Sequence, residues 1–182
     1  PLEISVIEPI ILQNNMIESF AFTSRKNRSF GIYKFNPSGR PTIVSQIKFN
    51  SYPENISVAN ITEGISPEFL ISGNSFDGLS ILSLQKNQLK EKRIIENRVF
   101  KNAQFIDINS DGYEDIVTLN SIENKLHLLF NNSRGEFNEL RVLNVDEDIL
   151  SMNIFDFNYD GFKDIIISAK TYIKIYFGDA TA

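Results

Sequence analysis

Two nine-residue stretches of this chain crowd oxygen donors into matching positions. Asp107-Ile-Asn-Ser-Asp-Gly-Tyr-Glu-Asp115 is followed 49 residues later by Asp156-Phe-Asn-Tyr-Asp-Gly-Phe-Lys-Asp164. Each puts an oxygen-bearing side chain at positions 1, 3, 5 and 9 and a glycine at position 6: Asp107, Asn109, Asp111 and Asp115 in one copy, Asp156, Asn158, Asp160 and Asp164 in the other. Hard oxygen donors at this density suit a cation, and calcium is the ordinary candidate; magnesium prefers to keep its waters. Three carboxylates in nine residues repel one another unless a positive charge sits between them. The competing reading is an Asx-rich turn held by side-chain-to-backbone bonds alone. An EF-hand begins in the same way but needs an acidic residue at position 12, where Thr118 and Ile167 stand. Strand-like Ile-Val-Thr and Ile-Ile-Ile follow the last aspartate in each copy, which excludes a helix there.

The elements that must position these loops repeat with them. Aligned on the loop, Asp107 corresponds to Asp156 downstream and to Asn60 upstream, and a looser copy runs from Ile10 through Asn14-Asn15 to Phe20. The period of 47–49 residues occurs four times, with approximate units 8–52, 53–99, 100–148 and 149–182 in a single repeat domain 1–182. In the second unit Asn60, Thr62, Gly64 and Glu68 occupy the ligand positions, which makes calcium doubtful there, and the first unit has lost the pattern. Short β-rich runs separated by Asn/Gly turns predict strands such as Phe30–Phe35, Thr42–Phe49, Gly78–Gln85, Leu89–Glu96, Ile116–Asn120, Lys125–Phe130 and Tyr172–Phe177. Four short meander-connected strands at a period in the forties predict an all-β chain of β-propeller blades, with a β-sandwich as the alternative. Leu2–Ile7 reads as a strand outside the four units, completing the last blade of a small ring or belonging to a preceding blade of a larger one. A start at Pro1 without Met suggests a processed product or part of a longer chain.

The D-x-N-x-D-G-x-x-D-I pattern, the hairpin after it and the period near 50 resemble the FG-GAP/VCBS repeats of integrin α-subunit propellers and many bacterial exported proteins. The resemblance implies that each loop joins the first two strands of a blade and holds a structural calcium ion. It adds the backbone carbonyls of Tyr113 and Phe162 to the two ligand sets. It is strong over about residues 98–178 and weaker, though in register, over 10–97.

Composition narrows the function. The net charge of −5 argues against nucleic-acid binding. Residues 101–182 carry 14 acidic and 7 basic side chains against 9 and 11 in residues 1–100, so the acid excess reads as a supply of metal ligands. The absence of cysteine removes disulfides, thiolate zinc sites and cysteine nucleophiles. No segment approaches the roughly 20 apolar residues of a membrane helix. The one histidine, His127, alternates with Leu126 and Leu128 and reads as a surface or rim residue. There is no P-loop, dinucleotide-binding glycine pattern or nucleophile elbow. Lys86, Lys90, Lys92 and Arg93 read as a charged edge hairpin. The four N-x-S/T sequons, at Asn27, Asn55, Asn60 and Asn131, are about what chance gives in so Asn-rich a chain.

The sequence therefore points to a non-enzymatic, calcium-braced propeller serving as a protein-interaction or adhesion scaffold in an extracytoplasmic protein. Its expected partners are a protein or glycan ligand and further blades of a longer chain or complex. The alternatives are a carbohydrate-binding or polysaccharide-lyase-associated propeller, or a structural subunit. Glycan binding would gather aromatics on one loop face, with Tyr52, Phe76, Tyr113, Tyr159 and Phe162 as rim candidates.

Overall fold

A computed structural model describes residues 3–11, 17–62, 64, 66–120, 122–145 and 148–178. Among these residues there is no helix; the chain is all-β, with fifteen strands in four antiparallel sheets of propeller-blade type. The first sheet is β1 (Val6–Ile11), β2 (Ile17–Ser24), β3 (Ser29–Phe35) and β4 (Pro41–Lys48). The second is β5 (Asn55–Ala59), β6 (Glu68–Ser72), β7 (Leu79–Gln85) and β8 (Gln88–Ile95). The third is β9 (Asn102–Ile106), β10 (Asp115–Asn120), β11 (Lys125–Asn131) and β12 (Phe137–Asn144). The fourth holds β13 (Ile149–Phe155), β14 (Asp164–Ala169) and β15 (Ile173–Tyr176) among the described residues. Each sheet is a simple meander, so sequence neighbours are hydrogen-bonded neighbours throughout.

The turns explain why the chain reverses where it does. Lys86 and Asn87 both have positive φ (50° and 62°) between paired Gln85 and Gln88. That is the signature of a two-residue type I′ hairpin, whose twist matches that of the strands it joins. The first and third sheets share a longer turn. Asn36 Oδ1 accepts from the N–H groups of Ser38 and Arg40, and Asn132 Oδ1 from those of Arg134 and Glu136. The glycine three residues on, Gly39 or Gly135, takes the left-handed conformation the turn requires.

Two compact units hold separate cores. Residues 1–60 and 64–104 form the first, and 61–63 with 105–182 the second. In the first, Ile10, Phe30, Ile32, Phe69, Ile71 and Leu82 pack together, with the Phe30 and Phe69 rings 5.0 Å apart. In the second, Val117, Leu119, Leu126, Met152, Ile165 and Ile167 form the centre. The middle strands are the buried ones: every residue of β10 is buried, whereas β4 is largely exposed. A strand buried on both faces loses the apolar–polar alternation, as Ile116-Val-Thr-Leu119 shows.

Two expectations change. Val6 and Ile7, expected to end a separate strand over 2–7, open β1 and pair with Thr23 and Phe22 in the first sheet. Pro9, which lacks an N–H, is accommodated because β1 is an edge strand. Pro1, Leu2, Asn14 and Asn15 lie outside the described residues. His127 is not at a rim. It is 1% exposed, because β11 lies between β10 and β12 and sets it opposite Thr118 and Val142.

Candidate metal centre: two acidic loops

Both acidic loops join the first and second strands of a sheet, between β9 and β10 and between β13 and β14. Their backbones follow one path. Positions 4 and 6 have positive φ in each: Ser110 at 58° and Gly112 at 88°, Tyr159 at 62° and Gly161 at 93°. Their hydrogen bonds repeat as well. Asp107 Oδ1 accepts from Asp111 N at 3.1 Å and Oδ2 from Gly112 N at 2.9 Å; Asp156 accepts from Asp160 N at 3.1 Å and Gly161 N at 3.0 Å. Asn109 and Asn158 Oδ1 accept from Asp111 and Asp160 N, while Asp111 and Asp160 Oδ1 accept from Tyr113 and Phe162 N. In both loops the asparagine Nδ2 donates to the Oδ2 of the aspartate at position 5, at 3.0 and 2.7 Å.

The aspartate at position 9 does something else. Asp115 and Asp164 are fully buried. Asp115 accepts from Ile108 N and Asn131 N, and Asp164 from Phe157 N and Gly178 N. These carboxylates tie the loop to the start of the second strand and to the end of the third. Burial pushes the Asp115 carboxyl up to about 6, against the pull of those N–H bonds, and the charges of Asp111 and Asp107 raise it further. Glu114 is also raised, first by burial and then by Asp107, with Lys163 opposing.

The donor chemistry fits a hard cation. Each loop offers aspartate oxygens at positions 1 and 5 and an amide oxygen at position 3, and an oxygen already accepting one N–H retains a second lone pair. The asparagine Nδ2 against the position 5 carboxylate stands where positive charge is wanted. Among the described residues no three His, Cys, Asp or Glu side chains converge as a ligand group, because Asp115 and Asp164 are turned to backbone partners. In the second unit Ile61 and Thr62 lie beside Gly135, and the Ile61 carbonyl accepts from Asn131 Nδ2 at 3.0 Å.

Asn131 is the residue that sequence reasoning undervalued. Its N–H goes to Asp115, its Nδ2 to the Ile61 and Glu114 carbonyls, and its Oδ1 accepts from Gly135 N, all from a buried position. A polar residue directly after the apolar run Leu128-Leu129-Phe130 was the available signal. The rim aromatics separate into kinds. Phe76 is buried, Tyr52 lies under the Arg25 guanidinium at 5.0 Å, and Tyr159 is 92% exposed. Phe155 and Phe157 are exposed beside the second loop, their rings 6.1 Å apart.

Residues 107–167 match the FG-GAP-like repeat family. The FG-GAP-like segment starts at the first loop aspartate and ends within β14, so it takes in both acidic loops. No curated protein matches the chain by sequence. Among solved structures, the chain is similar in fold to BBS1N, determined in complex with ARL6DN and soaked with lead. That likeness has a TM-score of 0.63 at 14% identity, over 95% of this chain and 52% of that one. It is also similar to dihydro-heme d1 dehydrogenase NirN in complex with DHE, with a TM-score of 0.65 at 12% identity, over 98% of this chain and 35% of that one. The chain thus spans about half of the first protein and about a third of the second.

Proposed function

We propose that the chain is a calcium-stabilised FG-GAP/VCBS-type propeller module that acts as a non-enzymatic protein-interaction or adhesion scaffold in an extracytoplasmic protein. The observation that carries this reading is the duplication of one loop geometry, with φ signs and carboxylate bonds matched at each position. Two calcium ions would be held through Asp107, Asn109 and Asp111, and through Asp156, Asn158 and Asp160, with the carbonyls of Tyr113 and Phe162. Asp115 and Asp164 would brace each loop from beneath or join the ligand set. Calcium supplies the countercharge that three neighbouring carboxylates need, and binding only the folded state stabilises it by mass action. Weak sites of this type are filled where calcium is abundant, which supports a location outside the cytoplasm.

The scaffold role is supported by the FG-GAP-like match, and the fold it needs is shared with BBS1N, determined in complex with ARL6DN. NirN is an enzyme of similar fold, and at such low identity the likeness extends to the fold alone. One observation favours a carbohydrate-binding alternative: Phe155, Phe157 and Tyr159 are exposed along one loop, and sugar faces stack on such rings. A thermal melt in EDTA and then in millimolar calcium tests the metal reading. A higher melting temperature in calcium, reversed by chelation, is expected. Identical melts would remove calcium from both loops.

A further inference from the structure

The first unit carries a groove that takes no part in the acidic loops. It holds about 510 Å3 and is walled by β1 at Glu8, β5 at Asn55 and Ser57, and β9 at Asn102 and Gln104. Small-molecule sites fall in the same size range, about 300–1,000 Å3.

Glu8 is out of place in its strand. β1 reads Val6-Ile-Glu-Pro-Ile-Ile11, and Glu8 is paired with Ala21 while Ile10 is paired with Ser19. Alternate residues of a strand share a face, and so do directly opposed residues of an antiparallel pair. Glu8 therefore shares a face with the core residue Ile10 and lies beside fully buried Ala21, whose methyl covers little of the carboxylate's flank. A third apolar residue would complete the core-facing set there. Among the described residues the Glu8 carboxylate has neither an ion pair nor a hydrogen bond. Asn55 Nδ2 donates to the Lys101 carbonyl at 2.6 Å, which leaves Asn55 Oδ1 to accept. The Gln104 side-chain amide has no hydrogen-bond partner among the described residues, and no Lys, Arg or His among them lines the groove.

The one charge in this wall is the Glu8 carboxylate, which only accepts; the Asn55 and Gln104 amides can each turn an oxygen to a donor, and Ile11, Ile56 and Val58 add apolar surface. Its complement is a cation rich in N–H donors, and an ammonium offers three donors and no acceptor. We propose that this groove binds a primary ammonium group, with Glu8 as its counterion and Asn55 Oδ1 and the Gln104 amide oxygen as further acceptors. The ammonium can come from a small hydroxylated amine or from a lysine side chain of a partner. The proposal does not depend on calcium in the acidic loops.

Titration calorimetry on the full chain tests it, with glucosamine as the charged probe, glucose and N-acetylglucosamine as neutral controls, and a lysine-containing peptide as the partner mimic. Glucosamine is expected to bind at one site at least about tenfold tighter than either neutral sugar, a factor equal to about 1.4 kcal/mol. Glu8→Gln keeps the shape and should remove that preference. Gln104→Lys places a competing ammonium in the groove and should abolish binding, which gives a second test if Glu8→Gln folds poorly. Tighter binding of the peptide than of glucosamine would assign the ammonium to a partner's lysine, and the reverse order to a free amine. Equal binding of glucosamine and glucose, no binding of any amine probe, or unchanged affinity in both variants would overturn the proposal.

Discussion

Asp115 Oδ1 accepts the backbone N–H of Asn131 at 2.8 Å, and in the next repeat Asp164 Oδ1 accepts that of Gly178 at 2.9 Å. The second oxygen of each takes the N–H of the residue after the first loop aspartate, Ile108 or Phe157. In each of these two repeats one buried carboxylate thus fastens the loop, the start of the second strand and the end of the third. This role needs no cation, and it separates position 9 from positions 1, 3 and 5.

Asp115→Ala should therefore destabilise the protein even without metal. It strands the buried N–H of Asn131 and the part-buried N–H of Ile108; a buried one costs about 1–3 kcal/mol without a partner and the other less, so a loss of roughly 2–4 kcal/mol is expected. Urea denaturation in EDTA measures it. Were the loss confined to calcium-containing buffer, Asp115 would be a metal ligand and not a latch.

Asp107→Ala should behave in the opposite way. Its partners, Asp111 N and Gly112 N, lie in an exposed loop where water can replace the carboxylate. Little is lost in EDTA, while one calcium is lost from the stoichiometry measured by equilibrium dialysis. The intact chain should bind two ions and Asp107→Ala one. The second unit, with only Glu68 charged at its ligand positions, should add none. At a calcium concentration about 100 times the Kd, each filled site adds about 2.7 kcal/mol. A third ion, or an unchanged count in Asp107→Ala, would refute this assignment.

The glycines divide by what surrounds them. Gly112 and Gly161 have φ of +88° and +93°, and nothing lies within 4 Å of where a Cβ would stand. Alanine there meets only the left-handed backbone penalty of about 1–2 kcal/mol. Gly78, at φ +75°, would in addition drive its methyl into the Ile95 carbonyl. Gly78→Ala should lose more than either loop variant, with the second sheet the first to exchange its amide hydrogens. Equal losses at all three positions would mean that the β7–β8 pairing around Gly78 can yield.

Most of the strand plan was legible in the sequence because turn chemistry and burial periodicity agree. Asn36 with Gly39, Lys86-Asn87 and Asn132 with Gly135 reverse the chain where the hydrophobic runs end. β10 and β11 stand out because most residues of both are buried and their centres, Ile116-Val117 and Leu128-Leu129-Phe130, are apolar. The loop geometry could be read from spacing alone, since positions 1, 3 and 5 act within one turn. Long-range partners could not. Nothing near Asp115 in sequence announces Asn131, sixteen residues on, and nothing near His127 reports that β12 covers it. The strand expected over 2–7 failed for the same reason: Ile7 is apolar in either sheet, and only its pairing with Phe22 decides which one it joins.

Tyr159 gives the sharpest test of whether the second loop is built for binding. It has φ +62° and is 92% exposed, so a bulky side chain is kept in a conformation that favours glycine or asparagine, without packing to offset it. Ser110, at the equivalent position of the first loop, occupies the same region with a small side chain. Tyr159→Gly relieves the left-handed penalty but adds freedom to the unfolded chain, and the balance should be a gain of about 0.5–1 kcal/mol. A stabilised variant that also loses affinity for a glycan or protein ligand would show that the tyrosine is retained for contact, at the expense of stability. If Tyr159→Gly is instead destabilised, the ring contributes to folding, and the carbohydrate-binding alternative loses the residue on which it most depends.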